Sequence, residues 1–276
     1  MNGETKLIAH VGYPTATFKS PMIYNPWFER RGINAAVVPL GVTAEDFDCA
    51  FRAIARFSNF LGALITMPHK VAVIAHLDEA STAVKVAGSC NAVRRDADGR
   101  LIGDMFDGEG FVRGVARNGG SLAGKRVLVV GSGGVGSAIA ASSAQAGAAE
   151  IAVYDVAAHP MNLLAARLRE NYPNLEVSFG SNDPSGFDVV VNATPLGMEP
   201  SDPMPVDVER LSPSTFVGEV VMRAEATAFL AAARARGCAV QIGVDMLFKQ
   251  IPAYLEFFGF PRATAGELRE VGEIAY

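Results

Sequence analysis

A pattern of strand, glycine turn, helix and strand in the middle of the chain constrains the fold more than any other feature. Lys125–Val130 is a short apolar run rich in β-branched residues, which predicts a buried parallel strand. It leads into Gly131-Ser-Gly-Gly-Val-Gly136 and then into an Ala/Ser-rich stretch of helical composition, Ser137 to Gly147. A second apolar run, Glu150–Tyr154, ends on Asp155. This order, with the acid about 20 residues beyond the glycines, is typical of a dinucleotide-binding βαβ unit.

The glycines of this turn each meet a physical requirement of dinucleotide binding. Gly131 permits the tight turn, Gly133 lets backbone N–H groups approach a pyrophosphate, and Gly136 lets helix and strand pack closely. The helix N-terminus then offers unpaired N–H groups and a partial positive charge to the phosphates. We therefore expect Asp155 to accept hydrogen bonds from the adenosine ribose, and the turn to bind the cofactor through Gly131, Gly133, Gly134, Val135 and Gly136. The alternative is a tight turn without a ligand.

Composition limits the classes of protein that remain. The chain has 276 residues, half of them hydrophobic, which is enough for a substantial core in one or two domains. The net charge is −5 and the basic residues are scattered, so we expect no nucleic-acid partner. Gly, Pro or charged residues break the longest apolar stretches well short of a membrane span, and the N-terminus lacks a signal-peptide pattern.

The cysteines indicate neither disulfides nor a metal site. Cys49, Cys90 and Cys238 are odd in number, widely spaced and without ligand-like neighbours. We interpret them as reduced packing residues of a cytoplasmic protein and expect no metal.

The order of predicted elements indicates an α/β protein with two domains. Residues 1–104 alternate strands and helices, including an amphipathic helix over Thr43–Ser58, and predict an α/β unit of their own. We expect residues 105–244 to form a Rossmann-type domain. Residues 245–276, helical with an interruption at Pro252, should return to the first domain.

With these elements placed, a series of motifs resembles the shikimate/quinate dehydrogenase family over almost the full chain. Thr66-Met-Pro-His-Lys70 resembles the family's Thr-x-Pro-x-Lys stretch, and Asn192-Ala-Thr-Pro-Leu-Gly-Met198 its Asn-Ala-Thr-Ser-x-Gly-Met. The other matches, in chain order, are Lys19-Ser20-Pro21, Cys90-Asn91-Ala92, Gly103-Asp-Met-Phe-Asp107-Gly108 and Gly243-Val-Asp-Met-Leu-Phe-Lys-Gln250. The resemblance implies an NAD(P)-dependent oxidoreductase that acts on a secondary alcohol of a hydroxylated ring acid, in a cleft between two α/β domains.

The resemblance also implies that Lys70 and Asp107 are the catalytic pair. Hydride transfer from an alcohol carbon requires removal of the hydroxyl proton, and a lysine beside a carboxylate can hold the hydroxyl and relay that proton. From the bare sequence, Lys70 would more often be a solvated lysine and Asp107 a helix N-terminal residue. His69 is interpreted as a loop residue rather than the base.

Further positions would bind substrate and cofactor. Asn91 and Gln250 would hydrogen-bond ring hydroxyls, and Ser20 and Thr66 a hydroxyl or carboxylate; loop or cap roles are the alternative. The residues expected near the nicotinamide are Asn192, Thr194, Gly197, Met198, Gly243 and Met246. Core packing remains an alternative for both methionines.

The substrate end departs from the family. Phe18 stands where the family has the first serine of its substrate loop, and Met222 where it has a tyrosine; both hydroxyls help hold the substrate carboxylate. Losing about 1–3 kcal/mol per missing hydrogen bond would weaken shikimate recognition about 100-fold or more. Met105-Phe106 replaces Asn-Thr beside Asp107 and makes that neighbourhood more apolar. Arg223, next to Met222, offers a replacement charge, with a solvated arginine as the alternative. Neutral sequence drift in a tolerant pocket is the alternative explanation for these departures.

The residues expected to bind the adenosine end of the cofactor also differ from the family pattern. Asp155-Val-Ala-Ala158 stands where NADP-using members have an Asn-Arg-Thr type sequence, so NAD should be preferred, with NADP possible. We expect an NAD-preferring dehydrogenase that acts on shikimate, quinate or a related small cyclic hydroxy acid, as a monomer or homodimer. The alternatives are an NADP-dependent biosynthetic shikimate dehydrogenase with an unusual pocket and a nucleotide-binding regulator with vestigial activity.

Overall fold

The computed structural model describes residues 1–117, 120–221 and 226–272 of the chain. It contains two six-stranded sheets in two compact units, which confirms the predicted α/β class with two domains. Unit 1 comprises Met1–Val84, Ser89–Phe106 and Ile251–Tyr276, and unit 2 comprises Lys85–Gly88 and Asp107–Gln250. The units therefore divide after 106 and 250, where the sequence analysis placed the boundaries after 104 and 244.

Unit 1 is a mixed sheet with helices. Its elements in chain order are β1 (Lys6–Gly12), α1 (Pro21–Arg30), β2 (Ala35–Gly41), α2 (Phe47–Ile54), β3 (Phe60–Ile65), β4 (Glu79–Ala80), α3 (Thr82–Ala87, which runs into unit 2), β5 (Ala92–Arg95) and β6 (Leu101–Asp104). The strand order is β2-β1-β3-β5-β6-β4. β1 pairs in parallel with β2 and β3, whereas β5 is antiparallel to β3 and β6.

One helix of unit 1 is shorter than its predicted extent for a local reason. The predicted helix 43–58 is only Phe47–Ile54, because residues 44–46 form a turn in which the Thr43 hydroxyl donates to Asp46 rather than capping a helix. After β3, Ala72–His76 is a short 3-10 helix. In α1, Pro21 occupies the first turn, where its missing N–H costs nothing, and Trp27 and Phe28 enter the core.

Unit 2 has an all-parallel sheet. Its elements are α4 (Asp107–Arg117), β7 (Arg126–Val130), α5 (Gly134–Gln145), β8 (Glu150–Tyr154), α6 (Ala158–Asn171), β9 (Glu176–Phe179), β10 (Val189–Asn192), β11 (Phe216–Glu219), α7 (Ala228–Ala235), β12 (Ala239–Gln241) and α8 (Gly243–Phe257, which continues into unit 1). The strand order β9-β8-β7-β10-β11-β12 is that of a doubly wound sheet whose first strand is β7. The carboxyl end of β7 therefore lies at the switch point, where such sheets bind ligands.

The prediction of a helix interruption at Pro252 was wrong, because α8 continues unbroken through this proline. A proline inside a helix removes one backbone hydrogen bond and strains the preceding turn. The neighbouring side chains Ile251 and Leu255 are buried, and their burial offsets that cost. A last helix, α9 (Ala265–Val271), begins with a capping box formed by Thr264 and Glu267.

The cysteine interpretation holds for two of three residues. All three are free; Cys90 and Cys238 are buried, but Cys49 is exposed and does not pack in a core. Among the described residues, no helix has the length and apolar character needed to cross a membrane. The same residues contain no group of three or more potential metal-binding side chains.

Candidate functional site

The glycine turn of unit 2 leaves backbone open where a ligand would approach. Gly131 has φ +108°, and a Cβ there would lie 2.8 Å from the backbone of Ala193. A Cβ on Gly136 would strike the carbonyl oxygen of Gly131, so the fold requires both glycines. Gly133 and Gly134 are exposed instead, and a Cβ on either would meet no atom within 4 Å. The structure therefore separates glycines needed for folding from glycines that leave room.

Asp155 lies at the end of β8, beside the glycine turn. Its Oδ2 accepts from the backbone N–H of Ser132 at 2.6 Å and from the Ser132 hydroxyl at 2.7 Å, and its Oδ1 accepts from the N–H of Ala157 at 2.9 Å. Burial alone would raise the pKa of Asp155, but the bonds from Ala157 and Ser132 outweigh it and lower the pKa. The carboxylate is thus ionised and fixed to the turn. Sequence analysis missed Ser132, although a serine inside a glycine turn is a natural hydrogen-bonding partner.

The loop after β10 is organised by its own side chains. The buried Asn192 donates to the carbonyl of Leu196 at 2.8 Å and accepts from the Thr194 hydroxyl at 2.6 Å. Asp202, which the sequence analysis did not single out, accepts from the N–H groups of Gly197 and Glu199 at 2.9 Å each. Asn192 and Thr194 therefore shape the loop, and their expected position beside a nicotinamide stays a prediction.

The two methionines differ in their surroundings. Met246 is 4% exposed and belongs to the core of unit 2, whereas Met198 is 54% exposed on the loop after β10. Gly243 begins α8, and a Cβ there would strike the backbone of Val221. Met246 and Gly243 thus have packing roles, while Met198 and the half-buried Val135 keep solvent-exposed surface.

In unit 1, the stretch Thr66–Lys70 follows β3 and is tied to neighbouring strands. The N–H of Thr66 donates to the carbonyl of Val11 at 2.9 Å, and the N–H of Cys90 donates to the carbonyl of Lys70 at 2.7 Å. His69 is buried, stacks on Phe47 with ring centroids 4.2 Å apart, and hydrogen-bonds the carbonyl of Val42. His69 therefore fixes this stretch, and the half-buried Lys70 follows it.

Asn91 connects the Lys70 stretch to the segment that precedes Asp107. Its carbonyl accepts from the N–H of Ile65 at 2.8 Å, and its N–H donates to the carbonyl of Asp104 at 3.1 Å. Its side-chain Oδ1 accepts from the N–H of Phe106 at 2.9 Å. The buried Asn91 is therefore a tie between the ends of β3 and β6, a role that comes in addition to the predicted contact with substrate.

The two residues that precede Asp107 are apolar and packed, as the sequence predicts. Met105 is buried, and the Phe106 ring packs on Tyr254 and Phe257 with centroids 4.9 and 5.4 Å away. Asp107 is the first residue of α4 in unit 2 and is half-buried. Gln250, also half-buried, is the last residue of unit 2 in α8.

The substrate loop contains a residue that the sequence analysis missed. The ring of Phe18 stacks on His10, with centroids 4.0 Å apart and an interplanar angle of 23°. Burial first, and the nearby Lys70 charge second, lower the pKa of His10 to about 4. A histidine in the apolar strand β1 was the available signal. Ser20 precedes α1 and its side chain caps no backbone group, while Met222 lies outside the described residues.

These features define unit 2 as a Rossmann-type dinucleotide-binding domain, with its glycine turn and acid at the switch point. A family model described as the shikimate dehydrogenase substrate binding domain matches residues 11–93. A shikimate dehydrogenase (NADP(+)) from Rubrobacter xylanophilus is 35% identical over 254 residues, which cover 91% of this chain and 89% of that protein. The chain belongs to the shikimate dehydrogenase family, which confirms the resemblance drawn from its motifs.

Solved structures with related chains show the same fold. The ligand-free 5-ketofructose reductase of a Gluconobacter strain is 28% identical, with a TM-score of 0.87 and coverage of 99% of both chains. Quinate dehydrogenase from Corynebacterium glutamicum in complex with NAD is 27% identical, with a TM-score of 0.85 and coverage of 97% of this chain and 98% of that chain. The fold thus occurs in proteins named for a hydroxy acid and for a keto sugar.

Proposed function

We propose that the protein is an NAD(P)-dependent oxidoreductase that interconverts a ring secondary alcohol and ketone, of the shikimate or quinate type. The observation that carries this proposal is the tie through Asn91. It joins the segment that holds Lys70 to the segment that leads into Asp107. Rigid placement of acid and base residues is what proton transfer in such a reaction requires.

The roles of the two residues follow from the chemistry of alcohol oxidation. As the carbinol carbon loses a hydride, its hydroxyl must lose a proton, and Lys70 and Asp107 hold the hydroxyl and accept that proton. In the reverse direction they return the proton to the carbonyl oxygen. A bound nicotinamide supplies the hydride chemistry.

The residues of unit 2 fit a dinucleotide. Gly133 and Gly134 leave open backbone at the N-terminus of α5, where N–H groups attract phosphate. We propose that NAD is preferred, because the ionised Asp155 repels a 2′-phosphate and Val156-Ala-Ala158 provides no arginine to bind one. The bacterial relative named for NADP(+) makes the cofactor preference the point to test, and the quinate dehydrogenase with NAD shows that the fold takes this cofactor.

The test is initial-rate oxidation of shikimate and quinate, each with NAD and with NADP, at one enzyme concentration. Turnover of either acid with NAD at the higher kcat/KM supports the whole proposal. Turnover with NADP at the higher kcat/KM contradicts the assignment of Asp155 and leaves the oxidoreductase assignment in place. Cofactor binding without turnover of any ring alcohol or ketone would favour a regulator.

A further inference from the structure

We propose that the wall formed by His10, Phe18 and Thr66, the aromatic wall, selects an uncharged polyhydroxylated substrate rather than a carboxylate. This inference rests on the oxidoreductase proposed above: it keeps the interconversion of a secondary alcohol and a ketone, and replaces the ring acid by a neutral polyol as the preferred substrate. The observation that carries it is the stack of Phe18 on His10 beside the segment that ends in Lys70.

The stack lies against the end of β1. The Phe18 ring tip lies 3.0 Å from the position that a Cβ on Gly12 would occupy, and the Thr66 methyl group closes the same space. Thr66 in turn is bonded through its N–H to Val11 and begins the stretch that ends in Lys70. The Lys70 charge acts on the His10 ring, so the aromatic wall and the candidate catalytic lysine share one neighbourhood of unit 1.

The aromatic wall provides no charge for a carboxylate. With a pKa of about 4, the His10 imidazole is neutral at pH 7 and cannot form an ion pair. Its Nδ1 has no hydrogen-bond partner among the described residues and is buried from solvent, so a ligand in the site does not reach that nitrogen. Lys19 is already engaged within the chain, and Lys70 is assigned to the reacting hydroxyl. The wall itself contains no cation, so a carboxylate that leaves water against it would have only neutral hydroxyl groups as partners.

The same surfaces suit a neutral polyol. Ser20 and Thr66 are half-buried and carry uncharged hydroxyl groups that can donate to or accept from substrate hydroxyls. The Phe18 ring offers an apolar face against which the C–H face of a sugar or cyclitol can pack. Binding sites of this kind combine apolar and aromatic surface with a few polar groups that fix orientation.

The test compares shikimate with its methyl ester, which keeps the reacting ring and removes the negative charge. We expect kcat/KM at pH 7 to be at least about tenfold higher for the ester, with the difference mainly in KM, because the charged end of the acid would lose water against a wall that has no cation to pair with it. A ratio of ester to acid below ten overturns the inference. If the acid is oxidised efficiently, the oxidoreductase proposal stands without it.

Two variants separate the aromatic wall from general effects on folding. Phe18→Ser should lower the ratio of ester to acid at least about fivefold, because it places a hydroxyl donor where the ring now lies. Phe57→Ser is the matched control, since Phe57 belongs to the same unit and is 50% exposed; its ratio should stay at the wild-type value. An unchanged ratio in Phe18→Ser overturns the role of the aromatic wall. No turnover of acid or ester with NAD or NADP would overturn the proposed function and this inference together.

Discussion

The glycine turn of unit 2 and the aromatic wall of unit 1 differ in what gives them their shape. The turn is a backbone structure: positive φ at Gly131 and the contact at Gly136 fix it, and open space remains at Gly133 and Gly134. The wall depends on which side chains occupy positions 10, 18 and 66. Backbone binding sites follow from glycine spacing, whereas a wall of side chains can change its ligand through one substitution while the fold stays intact.

This difference suggests where the two units tolerate change. A cofactor whose phosphates are bound by backbone N–H groups makes the same demand in every enzyme that uses it. A substrate site, in contrast, recognises one particular molecule, and its side chains determine which molecule that is. If chemistry, stability and selectivity divide between the units in this way, substitutions in each unit should affect them separately.

The largest expected effect is on catalysis in unit 1. Lys70→Ala should lower kcat about 10²–10⁴-fold, the range of a lost acid/base group, and leave NAD affinity nearly unchanged, because the proposed cofactor site lies in unit 2. Steady-state kinetics and a fluorescence titration with NAD measure the two effects. Lys6→Ala, an exposed lysine on β1, is the control. Activity of Lys70→Ala within about tenfold of wild type would exclude Lys70 as a catalytic residue.

The next effect is a pH dependence of stability that arises in the aromatic wall. The pKa of His10 is about 4 in the folded protein, whereas histidine has its ordinary pKa of 6.5 in the unfolded chain. Between these two values the unfolded chain binds a proton that the folded protein excludes. The free energy of unfolding is therefore highest above pH 6.5 and falls by about 3 kcal/mol in total as the pH decreases towards 4. Urea unfolding of wild type and His10→Phe across this range should show a steeper loss for wild type. Parallel curves would contradict the burial of a neutral imidazole.

A pair of glycine substitutions tests the backbone nature of the turn. Gly131→Ala should destabilise the protein by about 2 kcal/mol or more, because φ +108° strains alanine and the methyl group meets Ala193. Gly133→Ala has ordinary φ and open space, so its stability should stay within about 0.5 kcal/mol of wild type while NAD binding weakens. Denaturant unfolding and cofactor titration measure both. Undiminished NAD affinity in Gly133→Ala would move the phosphate site elsewhere.

The smallest expected effect concerns cofactor choice. Asp155→Asn should lower the ratio of kcat/KM for NAD to that for NADP about tenfold, because it removes the charge that repels a 2′-phosphate and retains an oxygen acceptor. Ser132→Ala removes one hydrogen bond to Asp155 but keeps the charge, and its ratio should stay near the wild-type value. Equal ratios in wild type and Asp155→Asn would limit Asp155 to bracing the turn through Ser132.

The sequence determined the features that depend on local periodicity and backbone geometry. Strands β7 and β8, the glycine turn and the acid after β8 could all be predicted, because β-branched runs and glycine spacing are properties of neighbouring residues. Element ends were less accurate. The helix 43–58 shortened and α8 continued through Pro252, since hydrogen bonds of Thr43 and burial of Ile251 and Leu255 outweighed the local signals.

Only the tertiary structure decided which side chains meet across strands. His10 and Phe18 are eight positions apart and stack on each other; Ser132 and Asp155 belong to different segments and share two hydrogen bonds. Asn91 joins β3 to β6 through three hydrogen bonds, a role that no spacing in the sequence predicts. Such contacts depend on strand register and packing, which bring distant residues together. The sequence therefore determined the family and the cofactor turn, and packing decided what the substrate end presents to its ligand.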